Sequence, residues 1–190
     1  MLAAIGACGS AAPPVDVPAA ADNVEMQAIV DADQADREPD LKDFDWASMA
    51  ERDGTRRARV RALLEGGALR TGTDFANAAL VFQHGATDDD ILLAHVLAMT
   101  AVAQGHDSRR MAAMTLDRYL GRVGQSQIFG TQFSTSDVND AAKWTLEPYN
   151  SDLIPDTLRA INCVASHEST AQQLDRLKRG DMTEPAPVCP

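Results

Sequence analysis

Six polar side chains, His84, His95, Asp117, Arg118, Gln127 and Gln132, interrupt residues 82–133, the most apolar part of the chain. A polar group buried among apolar ones costs free energy unless it is paired or put to use, so this stretch is the candidate functional centre. Imidazole and carboxylate together suggest proton transfer: His84 or His95 could act as a general base, with Asp117 orienting the ring. Of the adjacent Asp117 and Arg118, Asp117 is expected to face inward, because it follows Met114 at helical spacing. Each group also has a bland role open to it. His84 can bond the free carbonyls of a helix end, His95 can be a hydrogen-bonded core histidine, and Asp117 can be half of a salt bridge.

Asp53 and Arg57 lie four apart on the stripe formed by Trp46, Met49, Val60, Leu63 and Leu64, so they can pair. The pair is either an exposed ion pair or an inward polar contribution to a site. Gly130-Thr131-Gln132 joins a permissive backbone to a hydroxyl and an amide, a turn that can touch a ligand or satisfy nearby helix termini. His84, His95 and His106 are evenly spaced, but Gly85 and Gly105 place them on separate elements and leave His106 in a loop. No HExxH, GxSxG, phosphate loop, dinucleotide fingerprint or paired CxxC occurs, so no metal site is expected and no cofactor is indicated.

The elements that must position these residues are helices. Asp45 is expected to cap a helix over 46–65 that stops at Gly66-Gly67, Thr73 one over 74–84, Thr87 one over 88–104, and Asp107 or Ser108 one running to about 122. An earlier helix surrounds Val24, Met26, Ile29 and Val30 and is interrupted at Pro39. Short connections such as Gly85-Ala86 favour antiparallel neighbours, and the helix over 88–104, apolar on nearly every side, is expected at the centre. Residues 127–133 and 143–146 favour strands. Pro155 opens a helix over 156–163, and a last one covers 168–179. The expected fold is mainly α: antiparallel helical hairpins stacked into one domain over 22–180, with a small β-hairpin or ordered loop near 127–146.

Composition places the chain among globular proteins, with 45% hydrophobic and 24% charged residues over 190 positions. A formal charge of -11 argues against nucleic acid as a partner, since that affinity rests on Lys and Arg neutralising phosphates. Ile5-Gly6-Ala7-Cys8 resembles a lipobox, so residues 1–8 are expected to be a truncated lipoprotein signal with Cys8 as the lipidation site; the alternative is a short leader in which the match is accidental and Cys8 has no role. Residues 9–21, rich in Ala and Pro, read as a flexible tether, and 181–190 as a Pro-rich tail. With no apolar run of about 18 residues, membrane attachment would come only through lipid at Cys8. The expected location is the cell envelope, periplasmic and lipid-anchored or secreted. Cys163 and Cys189 then form an even pair in a compartment that permits a disulfide, although Cys163 also reads as a buried thiol.

Gln83-His84-Gly85, Leu116-Asp117-Arg118-Tyr119 and Gln127-Ile128-Phe129-Gly130-Thr131-Gln132, in this order, resemble the signature of an uncharacterised bacterial domain-of-unknown-function family. Asp33-Gln34 with Arg37, and Asp53 with Arg57, are similar to its N-terminal part. The resemblance covers roughly residues 31–159 and implies candidate residues without a reaction.

Three readings follow. In the first, an envelope lipoprotein-like domain binds a small polar ligand or envelope component in a pocket built from His84, His95, Asp117 and Gln132, helped by Asp53, Arg57, Arg118, Gln127 and Thr131. In the second, the same pocket is a hydrolase-like site with His84 or His95 as base and Asp117 as its partner. In the third, the chain is a structural or partner-binding helical module.

Overall fold

Side-chain caps set where the first four helices begin. The computed structural model describes residues 20–37, 45–183 and 188–189; the lipobox with Cys8, nearly all of the tether, Pro39 and much of the Pro-rich tail lie outside them. Helix α1 (Val24–Ala35) starts at Asn23, whose side chain accepts from Met26 N. Helix α2 (Trp46–Glu65) starts at Asp45, which accepts from Ser48 N. Helices α3 (Gly72–Phe82) and α4 (Asp88–Ala103) open on reciprocal capping boxes, Thr71 with Asp74 and Thr87 with Asp90. Thr71 therefore caps α3 in place of Thr73: an acidic residue three positions on completes the box at Thr71. Helix α5 (Arg109–Arg122) begins at Ser108 without a side-chain cap, because the Ser108 hydroxyl bonds His106 Nδ1 at 2.8 Å. Helices α6 (Asp156–Ile161) and α7 (His167–Lys178) complete the order.

These helices pack on one another in one domain. Helix α3 meets α1, α2 and α4, and α4 in turn meets α5. The hub is therefore α3 rather than α4, whose Val96 and Met99 stay exposed on the side away from its neighbours. Small side chains make the approach possible: Ala78 and Ala79 of α3 and Ala94 and Ala98 of α4 are fully buried. Phe82, at the end of α3, is fully buried among them, a burial worth about 1.5–3 kcal/mol. Trp46, the first residue of α2, is 62% exposed, and the buried face begins at Met49 and continues through Val60 and Leu63.

After α5 the chain forms an ordered loop instead of a hairpin. Among the described residues, pairing is limited to isolated bridges, Gln127 with Tyr149 and Ser134 with Thr145, and Ala141–Lys143 makes a single 3-10 turn. Phe129 and Val164 pack with Ala113 of α5 into a second apolar cluster that seats this loop. A disulfide joins Cys163 to Cys189, with Cα atoms 5.3 Å apart, and pins the tail beside the end of α6.

Asp74 locks the start of α3 to the start of α1. Its buried carboxylate accepts from Asn23 N at 2.7 Å, Arg70 N at 2.8 Å and Thr71 N at 3.1 Å. Burial pushes its pKa up, but the backbone donors of Arg70, Asn23 and Thr71 outweigh burial and hold it below the ordinary 3.8. A depressed folded-state pKa gives stability that is present above the unfolded value and lost as pH falls through the folded one. The urea midpoint should therefore drop as pH falls below 3.8. Asp74→Asn should cost about 2 kcal/mol at pH 7 and flatten that acid limb, as followed by circular dichroism.

Candidate functional site

The turn between α3 and α4 brings together part of the candidate set: His84, Arg57, Arg118 and, through Arg118, Gln132. Gly85 is required there by close approach, because a Cβ would sit 2.2 Å from Asp90 Cβ and 2.9 Å from Phe82 O. Three arginines from two other helices reach the carbonyls of this turn. Arg118 Nη1 donates to Gln83 O at 2.7 Å, Arg57 Nη1 to His84 O at 3.2 Å, and Arg122 Nη2 to Ala86 O. Cations at the end of α3 also meet the negative pole of its dipole. Arg57 Nε lies 3.6 Å from Asp90 Oδ2, and Arg122 Nε lies 2.9 Å from Asp88 Oδ1.

His84 faces a carboxylate, but that carboxylate is Asp33 of α1. Its Nδ1 stands 3.5 Å from Asp33 Oδ2, and its side chain is 23% exposed while Asp33 is fully buried. Gln34 Nε2 donates to the same Asp33 oxygen at 2.8 Å. Arg37 Nη1 lies 3.0 Å from Asp33 Oδ1 yet aims its hydrogen at the Asp33 main-chain carbonyl, 2.7 Å away. Asp33 Oδ1 and His84 Nδ1 are consequently buried atoms with no hydrogen-bond partner. Around them, Asp53 accepts from Arg37 at 2.8 Å and from Arg56 at 2.9 Å, and Arg56 also bonds Asp36. The hydrogen bond from Arg56, seconded by Arg52, holds the Asp36 carboxyl below its ordinary value. The expected Asp53–Arg57 pair is not made. Asp53 is taken by Arg56 within α2 and by Arg37 just past α1, and Arg57 turns to the α3–α4 turn.

Asp117 is fully buried and has a different task from the one expected of it. Its Oδ1 accepts from Ile128 N at 2.8 Å and Phe129 N at 2.9 Å; its Oδ2 accepts from Thr131 N at 2.9 Å and Thr131 Oγ1 at 2.8 Å. Four donors fill the acceptor sites of a carboxylate, and no imidazole is among them. Gly130 sits inside this loop at φ +63°, with Tyr149 Cζ 2.8 Å from where a Cβ would stand, so both conformation and space demand glycine. Gln127 closes the loop by accepting from Gln132 N at 3.0 Å and donating to Gln132 O at 3.0 Å. His95 bonds Ala112 O through Nδ1 at 3.0 Å, which makes it a link between α4 and α5.

The four-residue convergence of His84, His95, Asp117 and Gln132 therefore divides. Gln132 reaches the turn through Arg118, whose Nε donates to its Oε1 at 3.1 Å, and His84 is part of the turn itself. Asp117, Gln127 and Thr131 organise the loop, while His95 lies apart. Asp33 extends the buried stripe of Met26 and Val30 at helical spacing, a signal in the sequence that could have placed it inward beside His84. Buried Arg159, which bonds Ala165 O, Tyr149 Oη and Thr170 Oγ1 at 2.7, 2.7 and 2.8 Å, gave no such local signal.

Chemically, the turn offers an imidazole whose Nε2 has no hydrogen-bond partner among the described residues, a buried carboxylate, and a guanidinium. Among the described residues no group of three or more His, Cys, Asp or Glu is arranged to hold a metal ion. Comparison with family models, curated proteins and solved structures returns no match.

Asp117→Ala would strip four donors of their acceptor. It should cost at least about 3 kcal/mol in urea denaturation and speed amide exchange at Ile128, Phe129 and Thr131 first. Thr131→Ala, losing one of the four bonds, should cost about 1 kcal/mol.

Proposed function

We propose that this chain is a helical cell-envelope domain that binds a small polar ligand or envelope component at the Gln83-His84-Gly85 turn. The observation that carries this reading is the pair of buried atoms without hydrogen bonds, Asp33 Oδ1 and His84 Nδ1. Such an atom in a folded protein calls for an explanation; both are closed off from solvent, so a ligand group would bond to them by displacing the partly exposed His84 ring. The remaining polar residues act as its frame: Arg57 and Arg118 hold the turn, Asp53 braces α1 against α2 through Arg37 and Arg56, and Asp117 with Gln127 and Thr131 fixes the loop that presents Gln132.

The envelope location is supported by Ile5-Gly6-Ala7-Cys8 and by the Ala- and Pro-rich residues that follow. The Cys163–Cys189 disulfide suits an oxidising compartment as well. No helix of the described residues is long and apolar enough to cross a membrane, so attachment would be through lipid at Cys8.

A hydrolase-like second reading keeps His84 as general base and puts Asp33 in the place expected of Asp117. The 3.5 Å approach of the two groups favours it; the pair would have to tighten to about 2.6–3.2 Å on substrate binding.

Thermal-shift and calorimetric titration with a panel of sugars, amino acids, dipeptides, carboxylic acids and phosphate tests the binding reading. At least one compound should stabilise the wild-type chain saturably and lose its effect in His84→Ala. No response to any class would count against the reading. For the anchor, Cys8→Ser in the full chain should move the protein from the membrane fraction to the soluble one, and an unchanged distribution would remove lipid attachment.

A further inference from the structure

The arginines around the α3–α4 turn differ in how their charge is answered. Arg37, Arg56, Arg57, Arg61 and Arg122 each have an acidic oxygen close by, at 2.8, 2.9, 3.6, 3.2 and 2.9 Å respectively. Arg118 forms no ion pair with any described residue, although burial is enough to draw its pKa below the ordinary arginine value. Drawing a cation out of water without a counter-charge is unfavourable. The C-terminal pole of α3, reached through Gln83 O, offers only about half an elementary charge.

Its hydrogen bonding is also incomplete. A guanidinium carries five N–H donors. Nε is spent on Gln132 Oε1 and one Nη1 hydrogen on Gln83 O. Both acceptors are neutral, and Nη2 has no hydrogen-bond partner among the described residues. Gln132 is itself tied down, donating to Met114 O at 3.2 Å and to Thr131 Oγ1 at 3.1 Å. The guanidinium is therefore held from two sides in a fixed orientation, with Nη2 and the second Nη1 hydrogen left to give. Two parallel N–H groups on a rigid fork match the two oxygens of a carboxylate or phosphate.

We propose that Arg118 receives an oxyanion, the carboxylate or phosphate group of the ligand, on its unused Nη1/Nη2 donors. This rests on the reading that a small ligand binds at the turn, and it narrows that ligand to an acid. A chain with a formal charge of -11 repels anions at long range, so recognition depends on this direct contact and not on a general basic surface. Gln132 and Gln83 are the positioning groups: they leave one edge of the fork open and hold it still.

The test is titration of the full ¹⁵N-labelled chain with sodium acetate and, separately, inorganic phosphate at constant ionic strength, with chloride as the control. The probes are the Arg118 Nε–H resonance and thermal stability. A saturable Arg118 shift with acetate, phosphate or both, absent with chloride, is expected, and the stronger arm identifies the ligand's acid group. Arg118→Lys, which keeps the charge without the fork, should weaken binding about tenfold, and Arg118→Gln should abolish it. A flat Arg118 signal with both anions overturns the proposal, as does an equal response in Arg118→Gln. If Arg118→Gln fails to fold, the wild-type resonance decides alone. A flat Arg118 signal together with a neutral or cationic compound binding at His84 would sink the oxyanion and leave the binding reading intact. Silence from every class of compound would remove both.

Discussion

A helix that ends inside a protein must find partners for its last carbonyl groups, and α3 ends where α2, α4 and α5 come together. Arg118 from α5 reaches Gln83 O at that end, and Arg57 from α2 and Arg122 from α5 reach His84 O and Ala86 O in the turn that follows. One set of bonds thus does three things. It satisfies the helix end, it places cations at the negative pole of α3, and it fixes α2 and α5 against the same short turn. The position of His84 against Asp33 depends on that arrangement, as does the orientation of Arg118.

Of the three most deeply buried carboxylates, Asp33, Asp74 and Asp117, two act on backbone. Asp74 gathers the amides of Asn23, Arg70 and Thr71, and Asp117 gathers those of Ile128, Phe129 and Thr131. In each case a buried negative charge is stabilised by main-chain donors from irregular segments that would otherwise leave those donors unpaired. Asp33 is the exception. It lies as deep as the other two, but one of its oxygens has no hydrogen-bond donor. The contrast sets Asp33, with an oxygen left unbonded, apart from two carboxylates that hold backbone in place.

Local signals in the sequence reached far. Asp45 and Thr87 as caps, Gly66 as the stop of α2, and stacking through short turns are all set by interactions within a few residues, and these are readable from order and spacing. What failed was tertiary choice. Asp53 and Arg57 are well placed to pair on paper, but Arg37, just past α1, and Arg56, on α2 itself, take Asp53, and the α3–α4 turn offers Arg57 a carbonyl. Asp117 was legible as an inward carboxylate, yet its partner could not be inferred, because a backbone loop presents no side-chain signature. Motif blocks distant in sequence, Gln83-His84-Gly85, Asp117-Arg118 and Thr131-Gln132, do meet through hydrogen bonds. Their order along the chain could not reveal that Asp33, far upstream, would be the group facing His84.

The tight closure of Gly85 on Asp90 has a consequence for how such a domain can diversify. Adding a residue to this turn would move three carbonyls out of reach of three guanidinium groups at once, and adding a side chain at Gly85 meets a neighbour already in place. Length variation is therefore barred here, whereas the segment around Asp137 and Val138, exposed and bonded mostly to itself, can absorb it. New specificities would have to arise by exchanging the side chains that border an unchanging backbone, an economical route for chemistry and a closed one for architecture.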